Sequence, residues 1–197
     1  MAKRRRFQRA VGKRRYRKLV VIAMEGSKTE PQYFSLFDDR GSTIKPLCLK
    51  ACHDSAPFYV LKRMKSYLKD TGLKSTDEAW LVVDRDKWTE EQLDQLYQWS
   101  EQQDNYGFAL SNPKFEYWLL LHFEDGRGVG SARECSERLK RYMPNYHKDV
   151  NPRTFTSVRI ETAMGRASRR DNPPCEDWPK EFAKTTVYRL VRVLLAR

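Results

Sequence analysis

A chain of 197 residues, 40% hydrophobic and 12% aromatic, is long enough for one domain with a real core. No stretch approaches the roughly 18 apolar residues of a membrane span, the N-terminus lacks an apolar signal region, and Cys48, Cys52, Cys135 and Cys175 form no CxxC pair. A membrane protein, a zinc site and a disulfide scaffold are therefore excluded as expectations, leaving a cytoplasmic protein with reduced thiols and a net charge of +12.

That charge is concentrated at the start. Residues 1–18 carry ten Lys or Arg and no acid, so +12 less these ten leaves +2 for all the rest. Residues 1–17, with Arg4, Arg5, Arg6, Arg14 and Arg15, read as a basic tail suited to nucleic-acid phosphates through counterion release. A solubilising or localising tail is the alternative.

Lys18 to Met24 is a short apolar run rich in β-branched residues, the pattern of a strand buried on both faces. Thr29-Glu30-Pro31-Gln32 has capping-box spacing with proline in the first turn, so a helix is predicted at once, with Tyr33, Phe34 and Phe37 facing the core. Ile44 to Leu49 reads as a strand that Pro46 places at a sheet edge. Ser55 to Lys69 spaces Val60, Leu61, Met64 and Leu68 as one helical face.

Ala79 to Val83 is a second buried strand, and Thr89-Glu-Glu-Gln92 caps the next helix. Tyr106 to Leu110 reads as a fourth strand, with Asn112 as N-cap and Pro113 opening a helix through Phe123. The strand–helix alternation predicts an α/β domain over 18–125 with about four strands in a mainly parallel sheet flanked by helices. Beyond the glycine-rich break at 126–130, three stretches (131–143, 158–170 and 180–197) predict an α-helical C-terminal part, 126–197, packed on the sheet.

In such a sheet the carboxyl ends of the strands share one edge, where ligands bind. Glu25 follows the first strand, and Asp84 and Asp86 follow the third, so the 59 positions between Glu25 and Asp84 need not part them in space. Alternation sends both acids of Asp-x-Asp the same way. An all-oxygen set without His or Cys favours Mg²⁺ or Mn²⁺. Glu116, in the first turn of the helix after the fourth strand, opens near the same edge and could serve a second metal, as could Glu30.

Other features carry bland readings beside functional ones. Lys28 could stabilise phosphate charge, but an exposed lysine at a helix start needs no role. Gly26-Ser-Lys-Thr29 lacks the earlier glycine of a phosphate-binding loop, since Val21 stands five positions before Gly26, and that reading is rejected. His122 reads as a core histidine before a proton shuttle. Arg159, Arg166 and Arg170 share a helical face that could track a nucleic-acid backbone or pair with acids. Trp88 and Trp178 could stack a base or anchor the core.

Glu25-Gly-Ser-Lys-Thr-Glu30-Pro-Gln-Tyr-Phe34, Asp84-Arg-Asp86 and Ser111-Asn-Pro-Lys-Phe-Glu116-Tyr-Trp-Leu-Leu-Leu-His122, in that order, resemble the RloB family of prokaryotic defence-island proteins over about residues 18–125. Families of this kind look like members of the wider Toprim group of topoisomerases, primases and overcoming-lysogenization-defect nucleases. The resemblance implies a Toprim-like fold, Glu25 as the Toprim glutamate, and Asp84 and Asp86 as the metal-binding pair. It also implies that Ser111, Asn112 and Glu116 reach the same edge.

The function so implied is Mg²⁺- or Mn²⁺-dependent phosphodiester hydrolysis of DNA or RNA in abortive anti-phage defence, beside a separate ATPase. The alternative is a non-catalytic nucleic-acid-binding or regulatory subunit of such a complex. Substrate identity and any homo-oligomer stay open.

Overall fold

The computed structural model describes residues 17–39, 41–50, 56–85 and 88–196. The tail before Arg17, with Arg4, Arg5, Arg6, Arg14 and Arg15, lies outside them, as do Cys52, His53 and Asp86. Four strands run parallel: β1 (Lys18–Met24), β2 (Ile44–Cys48), β3 (Glu78–Asp84) and β4 (Tyr106–Asn112). A two-residue β5 (Lys184–Thr185) pairs antiparallel with β4, giving the order β2-β1-β3-β4-β5. The helices are α1 (Thr29–Ser35), α2 (Pro57–Thr71), α3 (Glu90–Ser100), α4 (Phe115–Leu120), α5 (Ala132–Tyr142), α6 (Ser157–Arg170) and α7 (Val187–Leu195).

The apolar runs are continuous because both sheet faces are covered. Val20, Ile22 and Met24 enter one core with α1 and α4–α7, whereas Val21 and Ala23 enter the other with α2 and α3. Burying each of these Val, Ile and Met side chains contributes about 1.5–3 kcal/mol, so a polar residue in the middle of β1 would unseat a face. Pro46 sits in β2, which pairs with β1 alone, so its missing N–H interrupts no second ladder. Thr89 and Gln92 form the expected capping box of α3. No helix among the described residues is long and apolar enough to cross a membrane.

Three elements differ from the sequence reading, each through a partner distant in the chain. Thr29 does not cap α1: it is the first helical residue, and its hydroxyl donates to the Lys148 carbonyl at 3.0 Å. Gln32, the other half of the expected box, accepts from the Val150 amide at 2.6 Å.

Asn112 is the last residue of β4 and not an N-cap, because Ser111 and Asn112 pair with Thr185 and Lys184, so α4 starts later, at Phe115. The same pairing shortens the C-terminal helix: residues 184–185 are strand, and the helix runs only over Val187–Leu195.

Candidate active site

The carboxyl edge of the sheet opens into a cavity of about 520 Å³ lined by Glu25, Glu30, Asp84 and Glu116 together with Lys28, Lys114 and Lys148. The four acids come from four segments. The Glu25 amide donates to the Val82 carbonyl at 3.0 Å, carrying the β1–β3 ladder one residue past β1. Its Oε2 accepts from the Asp84 amide and from Trp88 Nε1, both at 3.3 Å. Glu25 and Asp84 are thus held together as the strand register requires, and Trp88 orients the carboxylate. The Arg85 guanidinium donates to the Trp88 carbonyl.

Glu30 is drawn in further than a helix-start acid would be. It is 8% exposed, and burial, reinforced by Glu116 and Glu25, pushes its carboxyl up to about 7. Asp84 is also held well above the ordinary carboxylate range, by burial first and then by Glu30, Glu25 and Glu116, with the Phe115 amide pulling the other way. Glu30 and Asp84 therefore keep their protons to higher pH than ordinary carboxyls, through burial first and mutual repulsion second.

The donor chemistry, oxygen only and mutually repelling, fits a hard dication. Among the described residues no three of these side chains, as they stand, converge tightly enough to chelate an ion. Asp86 is outside those residues.

Sequence reasoning missed the loop at 146–150. The Tyr146 hydroxyl lies 3.1 Å from Thr29 Oγ1 and 3.2 Å from Glu116 Oε1, so it ties that loop to two residues at the cavity. Lys148 takes a positive φ of 66°, a conformation costing a non-glycine residue about 1–2 kcal/mol, and lines the cavity. The signal for this loop is tertiary, since Thr29 and Lys148 are 119 positions apart.

The other expected residues among those described do not line the cavity. Ser111 bonds Thr185 Oγ1 at 2.9 Å, and Asn112 donates to the Lys180 carbonyl at 3.1 Å, so both hold the β4–β5 corner. His122 is buried with Tyr33 at 3.0 Å on Nε2 and the Trp118 carbonyl at 3.0 Å on Nδ1. A carbonyl only accepts, so Nδ1 carries the proton and Nε2 accepts from Tyr33.

The α6 arginines each direct a guanidinium N–H to their own chain: Arg159 to the Thr154 carbonyl, Arg166 to Leu121 and Arg170 to Ala183. Trp178 is 1% exposed and anchors the core under α3.

A mostly parallel open sheet with helices on both faces is consistent with the Toprim-like class of α/β proteins. Within that class the chain belongs to the RloB family, because the family model for RloB-like protein matches residues 20–194. The match reaches through α5, α6 and α7, well past the motifs that end near residue 125. No curated protein and no solved structure matches the chain.

Proposed function

We propose that this RloB-like protein is a metal-dependent nuclease that cleaves DNA or RNA in anti-phage defence. The observation that carries the reading is the gathering of Glu25, Glu30, Asp84 and Glu116 from four segments at one cavity, with two of their carboxyls raised by burial and mutual repulsion.

Glu25, Asp84 and Asp86 would hold Mg²⁺ or Mn²⁺, which when bound supplies charge neutralisation at a phosphate and a lower pKa for water. Glu30, with its carboxyl near 7, is poised to take a proton from the attacking oxygen or give one to the leaving oxygen. Lys28, Lys114 and Lys148 line the same cavity and would offset the charge of a phosphodiester. Trp88 and the Asp84 amide keep Glu25 oriented.

The test is to incubate the purified full chain with Mg²⁺ or Mn²⁺ and plasmid, single-stranded DNA or total tRNA, beside Glu25→Gln and Asp84→Asn. Cleavage that needs the metal and falls about 100-fold or more in either variant is expected. Wild-type rates in both variants would overturn the site. Nucleic-acid binding without metal-dependent cleavage would instead favour a regulatory subunit that works with a separate ATPase.

A further inference from the structure

Helix α2 carries a surface that its packing does not explain. Its buried side is Val60, Leu61 and Met64. Away from that side, Phe58, Lys62, Lys65 and Lys69 fall four, three and four positions apart, the spacing of one helical stripe, and all are exposed. Phe58 is 58% exposed and Tyr59 beside it 38%, with their rings edge to face at 5.5 Å. Lys62, Lys65 and Lys69 make no ion pair among the described residues. Two neighbouring aromatics in water, heading a line of free cations, differ from the scattered single apolar residues of an ordinary surface.

The stripe starts at the acidic edge. Because α2 joins the parallel strands β2 and β3, its first turn lies at their carboxyl ends, where Glu25 and Asp84 stand. Arg63, one turn after Tyr59, donates to the carbonyl of Met24, the residue before Glu25. Phe58 and Tyr59 therefore lie at the same carboxyl edge of the sheet as Glu25, on the face that α2 covers, and the lysines lead away from that edge along the helix.

We infer that the stripe of Phe58, Tyr59, Lys62, Lys65 and Lys69 is a track for single-stranded nucleic acid leading to the carboxylate cavity, with the aromatic pair stacking an unpaired base. The inference rests on the nuclease reading for what happens at the end of the track. An aromatic ring in water selects unpaired bases, because a duplex keeps its base faces stacked on one another. The lysines match the charge of the backbone, and their line continues from the site.

The test measures binding of a short labelled single strand, and of its duplex, to the full chain in EDTA, where metal-dependent cleavage is silent. Stacking of one base corresponds to a loss of about five-fold or more on removal of the rings. Phe58→Ala with Tyr59→Ala should weaken the single strand by that factor, leave the duplex nearly unchanged and keep the salt slope, and Phe58→Trp should retain tight binding. Lys62→Ala, Lys65→Ala and Lys69→Ala together should weaken both forms and flatten the single-strand salt slope by about 2.

Equal losses for both forms on removal of the rings, no loss, or a wild-type chain that binds neither form would each overturn the track. Failure of the nuclease reading looks different: ring-dependent single-strand binding would persist with no metal-dependent cleavage. Failure of the track alone would leave that cleavage intact and indifferent to Phe58 and Tyr59.

Discussion

A methyl group on Gly26 would lie 1.8 Å from Oε2 of Glu30, because the Glu30 carboxyl folds back over the Gly26 backbone. Gly26 is needed for space and not for a left-handed backbone, and what it accommodates is the far end of a side chain that can move. Gly26→Ala should therefore evict the carboxyl while leaving the fold nearly intact, with a stability change under about 1 kcal/mol. Its loss of metal-dependent cleavage should match that of Glu30→Gln, measured beside thermal unfolding. Full activity in Gly26→Ala would remove Glu30 from the chemistry.

Glu30 also sets a pH dependence. Its carboxyl titrates near 7 in the folded chain against about 4.5 when unfolded, so between those values the unfolded state releases a proton that the folded state keeps. Stability should fall as pH rises through that window, by on the order of 3 kcal/mol. Glu30→Gln should flatten this decline in denaturant titrations at pH 5 and 7.5, and millimolar Mg²⁺ should reduce it in the wild type. Because His122 offsets part of the decline over the same range, the difference between the two chains is the readout: a Glu30→Gln chain with the same change between the two pH values as the wild type would contradict the burial of an uncompensated acid.

His122 acts in the opposite sense. Burial lowers it to about 3 from an ordinary 6.5, so the unfolded chain binds a proton that the folded chain refuses, and stability is lost as pH falls below about 6.5. His122→Phe should remove this acid sensitivity. Because it leaves the Tyr33 hydroxyl unpaired, it should also cost about 1–3 kcal/mol at pH 7. Nuclease activity per folded molecule should be unchanged, which separates a core histidine from a proton shuttle.

Gln32 holds the loop that brings Lys148 to the cavity, accepting from the Val150 amide and facing Asp149 at 3.4 Å. Gln32→Ala should speed amide exchange at residues 146–150 and lower cleavage several-fold. Lys148→Ala should lower cleavage without the exchange effect. Unchanged exchange in Gln32→Ala would mean that the loop is secured elsewhere.

The four parallel strands, their buried faces, the edge position of β2 and the α3 capping box were legible in the sequence, because each is written in residues that are neighbours along the chain, whereas β5 was not. The convergence of Glu25 and Asp84 was legible too, since parallel strands with helical crossovers place their ends on one edge wherever the chain goes between. Asp86 and the basic tail were legible as motifs and lie outside the described residues.

What the tertiary structure alone decided is how side chains with two available partners were used. Thr29 and Gln32 have capping-box spacing, yet their bonds go to Lys148 and Val150, more than a hundred positions away. Ser111 and Asn112 sit where a helix cap would, yet they meet a strand 74 positions on. Glu30 reads as a helix-start acid that could serve a second metal, and only the fold buries it, to 8% exposure. Local pattern determines which backbone hydrogen bonds a segment can make by itself; burial and pairing across the fold decide which it does make, and here they set the charge at the candidate site.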